Sequence, residues 1–255
     1  MKILKYKKTK KNEYILITDD EEITLYDDII IQYELLLKKE ITKNELVQIK
    51  KENNKLKGYY EALKEINKRI KTEKEIRTFL KKKGYSLEDI EDTVLRLNKE
   101  GYLNHKMYIE AYIHDMLTLY LVGESKICSD LIDLGFTYEE VLPYLEKIDV
   151  NIYHEKIKKY VDKKVKVNKK SIQEFKRKTL EELIHKGFSK EDVLTYLDSL
   201  SLQENTNEIE KIVLKLYRKY ITKYDLYTTK IKIKSYLYSK GYSNVDIDAI
   251  IEKSF

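Results

Sequence analysis

Apolar residues recur along most of this chain at i, i+4, i+7 and i+11, the spacing of one face of an α-helix. Tyr59, Leu63, Ile66 and Ile70 mark one such face. Ile109, Ile113, Met116 and Tyr120 repeat it, as do Ile209, Val213, Leu216 and Tyr220. A further copy starts at Ile157 and Val161 but meets Lys164 at the next position. A shorter helix follows each, with Ile76, Phe79 and Leu80 as its apolar side in the first copy. A third helix then carries Ile90, Val94 and Leu97, or Val193, Leu197 and Leu200. Residues 1–50 read differently. Lys2 to Lys7, Glu13 to Thr18 and Glu22 to Leu25 are short and β-branched or aromatic, with polar turns between them, which predicts a three-stranded antiparallel meander. Tyr26 to Tyr33 and Lys43 to Asn53 then read as helices.

The junction between second and third helices is written four times: Gly84-Tyr85-Ser86, Gly135-Phe136-Thr137, Gly187-Phe188-Ser189 and Gly241-Tyr242-Ser243. The glycines are 51, 52 and 54 residues apart, a period that marks repeat architecture. Glycine suits the left-handed residue that stops a helix, and the aromatic can pack back on the last turn. The hydroxyl residue is then the N-cap of the next helix. An acid three residues on (Asp89, Glu140, Asp192 or Asp246) completes a capping box. Second helices open with similar boxes at Thr72 to Glu75 and Ser171 to Glu174, whereas Ser125 has Cys128 in place of the acid. The fold expected is mainly α: a tandem array of four three-helix repeats after a small antiparallel β-containing segment. The boundaries read as 1–53 for the N-terminal segment and 54–103, 104–150, 151–205 and 206–255 for the repeats. Pro143 falls inside a third helix and should kink it or remove one hydrogen bond.

With 255 residues, 42% of them apolar, the chain can bury a core. No apolar run approaches membrane-spanning length, and no secretory signal opens the sequence. The lone Cys128 cannot form an internal disulfide, which points to a reduced, cytoplasmic setting, and it reads as a small core residue. His105, His114, His154 and His185 lack metal-ligand spacing. No phosphate loop, dinucleotide fingerprint or HExxH motif is present. No enzyme, cofactor or metal is expected.

Charge changes the picture more. The net charge of +6 is modest, but it is unevenly spread. Residues 64–83 hold nine Lys/Arg against three acids, 156–178 eleven against two, and 211–234 eight against one. The matching stretch 114–134 has one base and four acids. A stacked array could align the three positive stretches into a stripe for a polyanion. The first eleven residues carry six lysines and no acid. They fit either a nucleic-acid contact or an edge strand kept soluble by lysine.

Residues 59–149 resemble the RecX family of bacterial recombination regulators. The likeness is carried by Arg69-Ile70-Lys71-Thr72-Glu73-Lys74-Glu75-Ile76-Arg77, by Leu80-Lys81-Lys82-Lys83-Gly84-Tyr85 and by Leu97-Asn98-Lys99-Glu100-Gly101-Tyr102-Leu103. Ile109-Glu110-Ala111-Tyr112-Ile113 resembles the start of the family's second repeat. Two departures stand out. Asn104-His105 lies where members often have two acids, and Leu121 to Lys126 is nearly neutral where the family is usually basic. The resemblance implies a non-catalytic protein that lies along the RecA-type recombinase filament on single-stranded DNA and restrains ATP hydrolysis and strand exchange. A monomer with no membrane association is expected. The candidate contacts are Arg69, Lys71, Arg77, Lys81, Lys82 and Lys83, then Lys163, Lys164, Lys169 and Lys170, then Arg218 and Lys219. Each would meet phosphate or acidic side chains and read no base. A stand-alone helical nucleic-acid-binding protein and a protein-interaction scaffold are the alternative readings.

Overall fold

The computed structural model describes residues 1–10 and 12–254; Lys11, in the first expected turn, and Phe255 lie outside it. The chain is mainly α-helical with a small N-terminal sheet. Strands β1 (Ile3–Lys10), β2 (Glu13–Thr18) and β3 (Glu22–Tyr26) pair antiparallel in the order β1-β2-β3. Tyr6 pairs with Leu16, and Leu16 with Ile23 on the other side. Leu16 and Leu25 are fully buried and pack with Ile29, Ile30, Leu35, Ile41 and Ile49. Helix α1 (Asp27–Gln32) and a 3₁₀ turn at Leu35–Leu37 close this small core.

Helix α2 runs without a break from Lys43 to Ile66. The separate helices expected around Lys43–Asn53 and Tyr59–Ile70 are thus one helix, stopping four residues before Ile70. Nothing between Asn53 and Tyr59 breaks it, because Gly58 is tolerated inside a helix and here lets the Tyr85 ring lie close: a Cβ at Gly58 would come 3.1 Å from that ring. The remaining helices are α3 (Glu73–Lys82), α4 (Leu87–Lys99), α5 (His105–Leu119), α6 (Glu124–Asp133), α7 (Tyr138–Leu145), α8 (Val150–Val165), α9 (Ile172–His185), α10 (Lys190–Ser199), α11 (Thr206–Tyr220), α12 (Leu226–Ser239) and α13 (Asn244–Ser254). Pro143 sits inside α7, which ends two residues later.

The helix stops form as their chemistry requires. Gly84, Gly135, Gly187 and Gly241 all have positive φ. At the first of them Tyr85 N donates to Leu80 O and Gly84 N to Lys81 O, the paired bonds of a Schellman stop. Phe188 with Gly187, and Tyr242 with Gly241, repeat the pattern. The aromatic residues after these glycines pack on an earlier helix as well. Phe136 meets the rings of His105 and Tyr108 on α5, Phe188 meets Tyr153 on α8, and Tyr242 joins the core with Ile209 and Val213. Fully burying each such aliphatic or aromatic side chain contributes roughly 1.5–3 kcal/mol.

The chain divides into two compact units. One comprises Met1–Ala111 with Asp133–Phe136, the other Tyr112–Ile132 with Thr137–Phe255. A single head-to-tail joint recurs in both. In the first unit, at the start of α3, the Lys74 ammonium donates to Asp133 O at the end of α6, at 2.7 Å. In the second, Gly123 N donates to Lys186 O at 2.9 Å, and Ser125 gives both its N–H and its hydroxyl to Gly187 O. There too, the Ser171 hydroxyl at the start of α9 donates to Lys240 O at the end of α12. Each joint sets donors at a helix start against carbonyls at a helix end, where the two dipoles attract. Ser125 is therefore not the N-cap of α6: the helix already includes Glu124, and the Ser125 side chain is committed to Gly187.

Candidate functional site

In the first unit a cleft of about 360 Å³ opens beside the joint, between the start of α3 and the end of α6. Lys71, Lys74 and Lys82 line it against the two acids Glu75 and Asp133, together with Thr78, Phe79 and Leu134. In the second unit a cleft of about 320 Å³ is lined by Gln173, Glu174, Arg177, Ser239, Lys240 and Gly241. Counted from the caps Thr72 and Ser171, Lys74 corresponds to Gln173, Glu75 to Glu174 and Thr78 to Arg177. The same hollow is thus built twice, with cations on its rim each time. The joint between Gly123 and Gly187 is tighter, since a Cβ on Gly123 would lie 2.2 Å from Gly187 O.

The twelve sequence-derived contacts divide by what they touch. Arg69 is paired with Glu75, which itself accepts from the Thr72 backbone at 3.0 Å and caps α3. Arg77 bridges Glu73 and Glu91. Burial pushes the Glu73 and Glu75 carboxyls up, yet Arg77 and Arg69 more than offset it and hold both below the ordinary range. Lys83 lies 3.9 Å from Glu61, and Lys164 is paired with Glu182. Lys170 shares Glu174 with Lys178, and the neighbouring Lys178 pushes its ammonium below the usual value. Among the described ion pairs, Lys71, Lys81, Lys82, Lys163, Lys169, Arg218 and Lys219 have no acidic partner. Lys71 and Lys82 meet in the first cleft. Arg218 and Lys219 share the outer face of α11 with Lys211, Lys215 and the half-exposed Leu214.

Lys74, Arg177 and Lys240 escaped the sequence reading. Lys74 stands at a helix start and Lys240 at a helix stop, while Arg177 lies in the second turn of α9, and the joint brings each of them to a cleft. Lys156 is the converse case. It counts toward the basic stretch 156–178, but its ammonium donates to Tyr120 O at 2.6 Å and caps the end of α5, and burial pushes its pKa down. Cys128 is half-buried, and burial with the nearby Glu124 pushes its thiol up. Among the described residues no three His, Cys, Asp or Glu side chains are grouped to hold a metal. No described helix is long and apolar enough to cross a membrane.

These features define a mainly helical protein whose recurring surface feature is a cation-rimmed cleft at a helix joint. No family model matches the chain. It is 28% identical over 261 residues to "Regulatory protein RecX" of Streptococcus gordonii, covering 100% of both chains. It is 27% identical over 259 residues to the protein of that name in Bacillus subtilis, covering 99% of this chain and 97% of that one. A solved structure titled "Crystal structure of regulatory protein RecX" shares its fold, with a TM-score of 0.54 and 18% identity over 98% of both chains. The chain resembles the RecX family of regulatory proteins over its full length.

Proposed function

We infer that this chain is a non-catalytic, monomeric, cytoplasmic regulator that lies along a RecA-type recombinase filament on single-stranded DNA and slows its ATP hydrolysis and strand exchange. The recurrence of one cation-rimmed cleft at equivalent joints supports this reading most strongly. A filament offers the same acidic or phosphate group at regular intervals, and a surface with repeated cationic hollows complements such a ligand. The likeness to proteins named for regulation, over their whole length, agrees with it. Lys71, Lys74 and Lys82 at the first cleft and Arg177 and Lys240 at the second are the contacts on this reading, joined by Lys81, Lys83, Lys163, Lys169, Lys170, Arg218 and Lys219. Arg69, Arg77 and Lys164 chiefly hold their own helices in place.

The test is recombinase ATP hydrolysis on single-stranded DNA, with the chain added in several-fold excess over filament protomers. Slowing is expected, and Lys81, Lys82 and Lys83 changed together to Glu should relieve it. An unaltered rate with the wild-type chain would rule the reading out.

A further inference from the structure

The last helix triplet carries a surface that these phosphate contacts do not explain. Seven of the chain's 23 tyrosines lie between Tyr217 and Tyr242, interleaved with lysines. Where α11 turns into α12, the rings of Tyr220 and Tyr224 meet edge to face with centroids 6.3 Å apart. Tyr220 packs partly on the core, whereas Tyr224 stands 42% exposed in the turn. The Lys232 ammonium lies 4.5 Å from the centre of the Tyr224 ring, and that of Lys219 lies 5.6 Å from Tyr220. Lys223 is exposed beside them. Asp225, the single acid between residues 211 and 234, is engaged by the backbone and hydroxyl of Thr228 as the cap of α12.

Here one ring is braced by another and stays 42% exposed, with the Lys232 ammonium over one of its faces and that of Lys219 over its neighbour Tyr220. An acidic peptide or a lipid headgroup would use the lysines and leave the rings idle. A nucleotide uses both, because its base has a flat π face and its phosphates carry the charge. Duplex DNA keeps its bases stacked inside, so the strand must be single. We propose that Tyr224, braced by Tyr220, is a stacking platform for a base of single-stranded nucleic acid, with Lys219, Lys223 and Lys232 on the flanking phosphates. This extends the proposed function, on which it rests for the origin of the strand, by adding a contact to bases.

The test needs no recombinase. The full-length chain is titrated with a labelled oligo-dT and with an abasic backbone of equal length, in low and moderate salt. The anisotropy of the label reads both affinities, since emission from 23 tyrosines would not single out Tyr224. The wild type should prefer oligo-dT by about fivefold to a hundredfold, the range of one stacked base. Tyr224→Leu should abolish that preference, and Tyr224→Phe should keep it. Lys219→Gln with Lys232→Gln should weaken both ligands alike and flatten the salt dependence. Equal affinity of the wild type for the two ligands, or a preference that survives Tyr224→Leu, would overturn the proposal, as would an acidic peptide competing equally well with oligo-dT. The two readings fail separately. Loss of base preference with ATPase slowing intact removes only the platform, and the reverse removes only the regulator.

Discussion

Gly187 rests directly on Lys126: a Cβ built on the glycine would lie 2.4 Å from the Lys126 backbone nitrogen. The glycine therefore serves two ends, a left-handed helix stop and a close approach between two helices joined head to tail. Gly135 meets Lys74 and Gly241 meets Gln173 in the same way, whereas Gly84 has nothing within 4 Å of its would-be Cβ.

Glycine-to-alanine exchanges should separate the two roles. Gly84→Ala incurs only the left-handed backbone strain, about 1 kcal/mol. Gly187→Ala adds a clash with backbone that cannot move aside, and should cost about 3 kcal/mol. Urea denaturation of both variants measures the difference; equal losses would mean that this joint does not form in solution.

Ser125→Ala gives a test whose sign is informative. Alanine is the better helix former, so a side chain with no partner would leave the variant slightly more stable. The hydrogen bond from Ser125 to Gly187 O reverses that expectation. A loss of about 1 kcal/mol is predicted, read as a fall in Tm of roughly 2–4 °C.

Glu204 should destabilise the fold at neutral pH. One of its oxygens accepts from Ile172 N at 2.9 Å, while the other is buried without a partner. Burial raises its pKa, with Asp246 adding to the effect. A carboxyl raised in the folded state contributes stability that is complete below its unfolded pKa and disappears as pH climbs through the folded one. Glu204→Gln should therefore raise Tm at pH 7 by roughly 2–4 °C, and the gain should vanish near pH 4. An unchanged Tm at pH 7 would contradict this.

Charge reversals should sort contacts from supports. Lys71→Glu with Lys82→Glu alters the rim of the first cleft and breaks no described ion pair. It should weaken ATPase slowing several-fold and leave Tm within about 1 °C. Arg77→Ala releases Glu73 and Glu91 at the surface and should cost about 0.5–1 kcal/mol. Its effect on ATPase should follow stability alone. Side-by-side thermal melts and hydrolysis rates decide the matter.

Much of the local architecture is legible in the sequence. The sheet strands, the caps at Thr72, Ser86, Thr137 and Ser189, and the four glycine stops all follow from residue types at fixed offsets. Such signals act within a single turn of chain, where backbone sterics and one hydrogen bond decide the outcome. Even there the pattern misleads at α2: it predicts separate helices around Lys43–Asn53 and Tyr59–Ile70, yet no residue between them forces a break.

The amino-acid order by itself determined the helical periods, the stops between second and third helices, and which stretches are rich in lysine. Tertiary packing decided the rest: that Ser125 and Ser171 reach across to another helix stop, that Lys71 and Lys82 share one cleft, and that Arg77 reaches Glu91 and Lys164 reaches Glu182 on another helix. The physical reason is distance along the chain. A cap is settled by neighbours three residues away, whereas the partner of a lysine or a serine sixty residues off is fixed only once whole helices have packed.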